Sequence, residues 1–285
     1  MTQSKISKEL SGKTILITGG AGSIGSAIVK QLVKYPVKTI RVLDIDEHAL
    51  FKLGRQISDP RLRFLLGSIL DKDRIDLAGN SADIIIHTAA IKNIEISEYN
   101  PIETIDANIN GTVNMIKMAI NNKPKKFINI STDKAADPST LYGTTKLLGE
   151  RLISWAGTHI PSTKFGTIRF GNVFETRGNA FEIWDEESKN NKPLTITDLD
   201  MKRYFFHIDE AANFVLDCLR LVKQGEIFIP KMDSYKISEL ASKYSKKYNI
   251  VGIRKGEKME EILLTEREKL SAKEKKSMWI IPPNN

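Results

Sequence analysis

A hydroxyl, a carboxyl, an amine and a phenol–amine pair lie close together in this chain: Ser131-Thr132-Asp133-Lys134, then Tyr142 and Lys146. Together they could serve one reacting carbon. Tyr142 and Lys146 are four apart with no proline between them, so a helix puts both on one face. A tyrosine beside a held ammonium is one way to make phenolate near neutral pH. Free tyrosine titrates near ~10, so base strength at pH 7 needs a depression of about 3 units, on the order of 4 kcal/mol. Tyr and Lys four apart also arise by chance on many helices, so the weight rests on what surrounds them.

Those surroundings begin near the N-terminus. Lys13-Thr14-Ile15-Leu16-Ile17-Thr18 reads as a short buried strand and runs into Gly19-Gly20-Ala21-Gly22-Ser23-Ile24-Gly25. The apolar spacing from Ile24 through Leu32 predicts a helix. Glycines at 19, 22 and 25 permit a tight turn, close approach of backbone to a pyrophosphate, and close helix–strand packing. A glycine cluster alone is weak. A strand before it, a helix after it and a second strand (Thr39 to Leu43) ending in Asp44 make it a dinucleotide site, with Gly19, Gly22, Ser23, Ile24 and Gly25 against the cofactor.

At 285 residues the chain can hold a large core. Its 41% hydrophobic and 27% charged fractions are those of a soluble globular protein. No run of about 18 apolar residues exists, so no membrane span is expected. Met1 to Ser11 is polar and lacks the apolar core of a signal peptide. One cysteine, Cys218, excludes an internal disulfide and suits a buried thiol, which points to a reducing, cytoplasmic compartment. The net charge of +8 raises nucleic acid as a partner, yet the lysines of the tail are interleaved with glutamates and no basic–aromatic stacking pattern exists. They read as solvated helix faces, so nucleic acid is not an expected partner.

Strand and helix patterns alternate along the chain. A helix (Glu47 to Ile57) and a strand (Leu62 to Leu66) follow Asp44, then the apolar strand Ile84-Ile85-Ile86 leads into His87-Thr88-Ala89-Ala90. A helix is expected from Pro101 to Asn121, strands at Phe127 to Ile130 and Phe165 to Phe170, and between them the helix carrying Tyr142. Uninterrupted apolar strands between helices imply a parallel sheet covered on both faces, with ligands beyond the carboxyl ends of its strands. Gly19, Asp44, Ala89, Asp133 and Asn172 all fall at such ends. Further on, a helix (Glu182 to Lys189), a short strand (Pro193 to Thr197), a helix (Asp209 to Leu221) and a strand (Gly225 to Ile229) precede a charged tail that reads as helical.

With these pieces placed, the chain resembles an extended short-chain dehydrogenase/reductase. Within that superfamily it is similar to the inverting UDP-N-acetylglucosamine 4,6-dehydratases of polysaccharide and flagellar-sugar biosynthesis. The resemblance covers nearly the whole chain. It rests on His87-Thr88-Ala89-Ala90-Ile91-Lys92, Glu98-Tyr99-Asn100-Pro101, Ser131-Thr132-Asp133-Lys134-Ala135, Leu141-Tyr142-Gly143 and Arg169-Phe170-Gly171-Asn172-Val173. Thr176-Arg177-Gly178, Asp200-Met201-Lys202-Arg203-Tyr204-Phe205 and Arg254-Lys255-Gly256-Glu257-Lys258 add to it. Asp133-Lys134 is the most telling pair, since related glucose-nucleotide dehydratases usually show Asp-Glu there. Tyrosine at position 142 marks the members that invert sugar carbon 5; larger membrane-anchored members that retain it usually carry methionine.

The resemblance implies an α/β fold: a Rossmann-type doubly wound sheet over residues 1–175, with 205–230 returning to it, and a smaller substrate-binding region over 176–285. It implies a UDP-sugar substrate, bound and recycled NAD(P)+, and a homo-oligomer, dimer or hexamer. Tyr142, activated by Lys146, would take the proton of the sugar O4, and Thr132 would bond that oxygen. Asp133 would be the acid and Lys134 the base of the elimination. Neutral Asp plus neutral Lys, however, lie about 6.5 units, roughly 9 kcal/mol, above the ion pair in water, so the opposite assignment stays open. Arg203 and Arg254 match diphosphate clamps, while Lys92, Asn172, Arg177 and Glu257 would complete the substrate contacts. Ser68, Ile69, Ala89 and Ala90 would border the cofactor, although Gly67-Ser68 departs from the family's Gly-Asp. Several inverting relatives carry Ser-Arg and use NADP where this chain has Asp44-Ile45-Asp46. A carboxylate there favours NAD. His87 is expected to be structural, and His207 and Trp184 receive no role. The rival reading is a nucleotide-sugar 4-epimerase or reductase on the same scaffold, in which Asp133-Lys134 would have no task.

Overall fold

The computed structural model describes residues 2–283. Its first half alternates helix and strand: α1 (Thr2–Leu10), β1 (Thr14–Thr18), α2 (Ser23–Leu32), β2 (Thr39–Asp44), α3 (Glu47–Gln56), β3 (Leu62–Leu66), α4 (Lys72–Gly79) and β4 (Ile84–His87). Short helices α5 (Ile94–Tyr99) and α6 (Pro101–Ile105) lead to α7 (Gly111–Asn122), β5 (Lys126–Thr132), α8 (Leu141–His159) and β6 (Lys164–Phe170). After these come β7 (Asn172–Val173), α9 (Ala180–Lys189), β8 (Leu194–Ile196), β9 (Lys202–Phe206), α10 (Ile208–Leu221), β10 (Glu226–Pro230), β11 (Asp233–Lys236) and α11 (Ile237–Ala241). The chain closes with β12 (Tyr248–Ile250), α12 (Glu266–Lys269), β13 (Lys273–Glu274) and β14 (Met278–Ile281).

The main sheet runs β13-β14-β10-β6-β5-β4-β1-β2-β3. From β3 to β10 it is parallel. Every residue of β1, β4 and β5 is buried, as strands covered on both faces must be. One face packs against α1, α2, α3 and α10 through Leu10, Ile28, Leu53 and Leu216. The other packs against α4, α7 and α8 through Ile75, Met115 and Ile153. The chain leaves β1 toward β2 and β3, then returns to β1's other side as β4. That reversal opens a crevice at the carboxyl ends of β1 and β4.

Beside this sheet lies a smaller lobe of β7, β9 and β11, with β8 paired to β12. Trp184, Leu194, Phe205 and Leu240 form its core. Among the described residues, no helix is long and apolar enough to cross a membrane.

Two local expectations fail, and one segment left without an element is a helix. The tail is not helical: among the described residues after β12 only four form a helix, and Met278-Trp279-Ile280-Ile281 adds to the sheet as β14, antiparallel to β10. Its apolar run finds more burial at the sheet edge than a charged helix could provide. The helix read from Pro101 to Asn121 is interrupted by a π turn at Asp106–Asn110. At this turn Asn108 Oδ1 accepts from the Ile91 amide at 2.8 Å while its Nδ2 donates to the Ile91 carbonyl at 2.9 Å. The polar N-terminal segment is α1, held by buried Ile6 and Leu10, four apart on one face.

Candidate active site

The glycine turn after β1 can be built only from glycine. Gly19 has φ +63°, and a Cβ on it would stand 2.7 Å from the Ala89 backbone. A Cβ on Gly25 would lie 2.3 Å from the Gly19 carbonyl, so α2 can approach β1 only without one. Gly22 caps α2 with no side-chain hydrogen bond, which leaves the first-turn amides for an anion. At the end of β2, Asp44 accepts from the Ala21 amide at 2.9 Å and from the Asp46 amide at 3.1 Å. Its carboxylate keeps lone pairs for a ribose hydroxyl. Thr88 donates to the Thr18 carbonyl at 2.8 Å and ties the ends of β1 and β4 together. These residues fit a dinucleotide. Ile24 and Ala90 border the adjoining cleft, and Ile69 is buried near Gly111, where a Cβ would meet its Cδ1 at 2.4 Å. Ser68 Oγ accepts from the Leu70 amide at 3.1 Å and so holds a local turn.

A cleft of about 790 Å³ runs from the glycine turn to the smaller lobe. One wall carries Thr132, Lys134, Tyr142 and Lys146; Lys92, Asn172, Arg203, Arg254 and Glu257 are among the other polar residues that line the cleft. The wall is assembled by a close approach. A Cβ on Gly143 would sit 2.5 Å from the Lys134 carbonyl, so the first turn of α8 packs directly on the single 3-10 turn Asp133–Ala135. Thr140 caps α8, accepting from the Gly143 amide at 3.1 Å.

Electrostatics inside the wall differ from the expectation for Tyr142. Although the phenol borders the cleft, burial pushes it up to about 12; Lys134 and the Thr132 hydroxyl pull it down, and Asp133 pushes it further up. Lys146 Nζ donates to the Ile130 carbonyl at 2.5 Å. Burial pushes Lys146 itself down to about 8, opposed by Glu150. Burial would lower Lys134 too, but the charges of Asp133 and Glu261 outweigh it and hold the ammonium above the ordinary lysine range. Lys134 Nζ lies 3.1 Å from Asp133 Oδ1 and 3.6 Å from Glu261 Oε1. Asp133 Oδ1 also accepts from the Thr132 hydroxyl at 2.9 Å, while its buried Oδ2 has no hydrogen-bond partner among the described residues.

Behind the wall is a buried ionic cluster. Glu150, one turn beyond Lys146, accepts from Ser131 Oγ at 2.6 Å and takes two bonds from Arg169 at 3.0 and 2.6 Å. Arg169 also donates two bonds to Glu268 at 2.9 and 2.8 Å and one to the Leu263 carbonyl at 3.0 Å. Thus β6, α8 and the tail meet on one guanidinium, and β5 joins them through Ser131 and Glu150. Glu150 was findable, being eight residues past Tyr142 on the same helix face. Glu261 and Glu268 were not, since only the folded tail brings them here.

The expected substrate residues are placed unequally. Arg203 is buried, donating to the carbonyls of Lys202 at 2.8 Å and Met259 at 3.2 Å. Arg254 pairs with Glu95 at 3.0 Å, and Glu257 accepts from the Arg254 amide at 3.1 Å. Asn172 donates to the Tyr204 carbonyl at 3.2 Å. Arg177 is the exception: its guanidinium donates to the Ala21 carbonyl at 2.8 Å and its amide to Ser23 Oγ at 3.0 Å, so it straps the glycine turn. Lys92 donates to the Arg177 carbonyl at 2.8 Å, and burial lowers its pKa. His87 is structural: its ring bonds Thr18 at 2.7 Å and Thr112 at 3.2 Å, and burial pushes it down to about 3. Trp184 is core of the smaller lobe and also borders the cleft. His207 is exposed and pairs with Glu175 at 2.8 Å.

A glycine turn at the sheet's switch point, a Tyr142–Lys146 helix beside it and a second lobe over the cleft define an extended short-chain dehydrogenase/reductase. The chain belongs to the polysaccharide biosynthesis protein family, whose pattern matches residues 15–283. It is 43% identical to the uncharacterized membrane protein MJ1061 of Methanocaldococcus jannaschii, over 98% of this chain and 88% of that protein. It is 37% identical to the UDP-N-acetylglucosamine 4,6-dehydratase (inverting) of Campylobacter jejuni, over 95% and 83%. A UDP-glucose 4-epimerase of Rickettsia bellii matches at 33%, over 95% and 83%. Among solved structures, Pen from Bacillus thuringiensis superposes with a TM-score of 0.92 at 35% identity, over 96% of this chain and 89% of that one.

Proposed function

We propose that the protein is a UDP-N-acetylglucosamine 4,6-dehydratase that inverts carbon 5 of the sugar. The observation that carries this reading is one wall of the cleft, where Tyr142, Lys146 and Lys134 lie together and Asp133, itself buried, pairs with Lys134 from behind at 3.1 Å. The Campylobacter relative of that name supports it.

When bound, an oxidised nicotinamide supplies the hydride acceptor, later the hydride donor, and a positive charge. Gly19, Gly22, Ser23 and Gly25 would hold its pyrophosphate and Asp44 its ribose, where a carboxylate repels a 2′-phosphate and favours NAD. Tyr142 takes the proton of the sugar O4. A phenol near 12 does not ionise in a resting site at pH 7, so added positive charge must bring it down. The 4-ketone then acidifies the C5 hydrogen. One member of the Asp133–Lys134 pair takes that proton and the other protonates the C6 hydroxyl, so that C5=C6 forms as the C6–O bond breaks and water leaves. The hydride removed from C4 would be returned to C6 as C5 is reprotonated from the opposite face, which balances the step and inverts that centre. Arg203 and Arg254 are suited to the diphosphate, since guanidinium matches phosphate geometry. The apolar end at Phe181, Ile183 and Met201 accommodates a base.

We read residues 1–175 with 205–230 as the dinucleotide-binding part and 176–285 as mainly the substrate part. The exposed Ile96, Tyr99, Ile102 and Trp155 on α5, α6 and α8 suit a homo-oligomer, and the free, buried Cys218 suits a reducing cytoplasm.

Incubation with UDP-N-acetylglucosamine and NAD+ or NADP+, read by mass spectrometry, tests the reaction. Loss of water supports it. An isomer of unchanged mass would favour the 4-epimerase reading, which the Rickettsia relative represents. Tyr142→Phe should abolish turnover while leaving dinucleotide bound; substantial residual activity removes Tyr142 from the mechanism.

A further inference from the structure

Glu261 is a carboxylate from the tail buried against the catalytic wall. Its side chain is 7% exposed, and its ion pair is with Lys134, itself 16% exposed. The segment that carries it is pinned on both sides. The Met259 carbonyl accepts from the Lys202 amide at 2.8 Å and from Arg203 at 3.2 Å, and Leu263 and Leu264 are core residues. A carboxylate taken out of water is costly unless it is compensated. Here the compensation is the one lysine that the elimination requires.

We propose that Glu261 is a positioning residue that holds the charge on Lys134 and so sets the pH range over which the Asp133–Lys134 pair works. The inference rests on the dehydratase reading and adds a residue to it. Four groups face the Lys134 ammonium: Asp133 from its own turn, Tyr142 from α8, Arg203 from β9 and Glu261 from the tail. Burial and Arg203 oppose the charge, while Asp133 and Glu261 favour it. Asp133 already sits within hydrogen-bond reach of Lys134 and binds Thr132 through the same oxygen. Without Glu261 the balance tips toward the neutral amine.

The sign is the same whichever partner is acid. If Lys134 donates to the C6 hydroxyl, the alkaline limb of the rate belongs to it. If Lys134 takes the C5 proton, the ascending limb does, and Glu261 then stabilises the ammonium as it forms. In Glu261→Gln that limb moves to lower pH by about one unit, a tenfold change in proton affinity. The limb that moves also decides the acid–base assignment.

The experiment combines two readouts. The pH profile of water loss from UDP-N-acetylglucosamine is compared for wild type, Glu261→Gln and Lys134→Arg. In parallel, the lysine 13Cε resonances are titrated, with Lys134 assigned from the Lys134→Arg spectrum. A downward move of the Lys134 midpoint in Glu261→Gln, with the matching limb, supports the proposal. An unchanged midpoint overturns it. Absence of water loss in the wild type would sink the dehydratase reading while leaving the resonance titration to judge Glu261. Should Glu261→Gln fail to fold, the wild-type midpoint decides, because a value below that of free lysine (~10.4) contradicts a held ammonium.

Discussion

Arg169 and Glu150 meet at 2.6 Å, each side chain 1% exposed, one helical turn behind Lys146. The pair is where the sheet, the catalytic helix and the tail are joined. Removing one partner of a buried pair leaves the other charge uncompensated, which costs about 3–5 kcal/mol. Arg169→Ala strands both Glu150 and Glu268, so a loss at the upper end of that range is expected in urea unfolding. A loss below about 1 kcal/mol would show that the cluster does not hold these elements together.

Gly143→Ala tests the close approach of α8 to the turn carrying Lys134. The added methyl would meet the Lys134 carbonyl 2.5 Å away, a backbone atom that cannot swing aside. A displacement of order 1 Å at the reacting groups costs on the order of 100-fold in rate. Turnover should fall by that order while dinucleotide affinity, measured by fluorescence titration, changes little. A fully active variant would mean that Tyr142 and Lys134 need not be in register.

Arg177→Ala removes the strap over the glycine turn. Its hydrogen bond to the Ala21 carbonyl comes from a charged group and is worth about 1.5–3 kcal/mol. The dinucleotide should therefore dissociate at least tenfold faster in stopped-flow displacement. The unfolding midpoint of the dinucleotide-free protein should move less than in Arg169→Ala. An unchanged dissociation rate would return Arg177 to the substrate side.

His87 makes an acid-stability prediction with a definite sign. Its folded pKa, about 3, lies below the reference of ~6.5, so between these values the unfolded chain binds one more proton. The contribution is present above pH 6.5 and is lost as pH falls. About 2 kcal/mol should be gone by pH 5. His87→Gln, which can still bond Thr18 and Thr112, should flatten this slope in chemical denaturation between pH 7 and 5. An unaltered slope would assign the acid sensitivity elsewhere.

Asp44→Ser tests cofactor choice. Loss of the carboxylate at the end of β2 should raise the affinity for NADP relative to NAD, read by equilibrium dialysis. An unmoved ratio would show that Asp44 serves only the Ala21 and Asp46 amides.

What the sequence determined by itself is local. Gly19, Gly22 and Gly25 follow a strand and open a helix, Asp44 ends the next strand, and Tyr142 and Lys146 share a helical turn. Each of these follows from backbone geometry over a few residues, and periodicity is enough to see it. Asp133-Lys134 was legible for the same reason, as a strand-end motif. The π turn at Asp106–Asn110 was not, because apolar spacing continues across it. Tertiary structure alone decided how the charges are balanced. It seated Glu261 beside Lys134 and Glu268 on Arg169, turned Lys146 to the Ile130 carbonyl, and laid Arg177 over the glycine turn. These contacts join residues up to 156 positions apart. Their strength depends on burial, which no short stretch of chain can establish. Desolvation, which only folding imposes, pushes the Tyr142 phenol up where the linear pattern suggests only acidification.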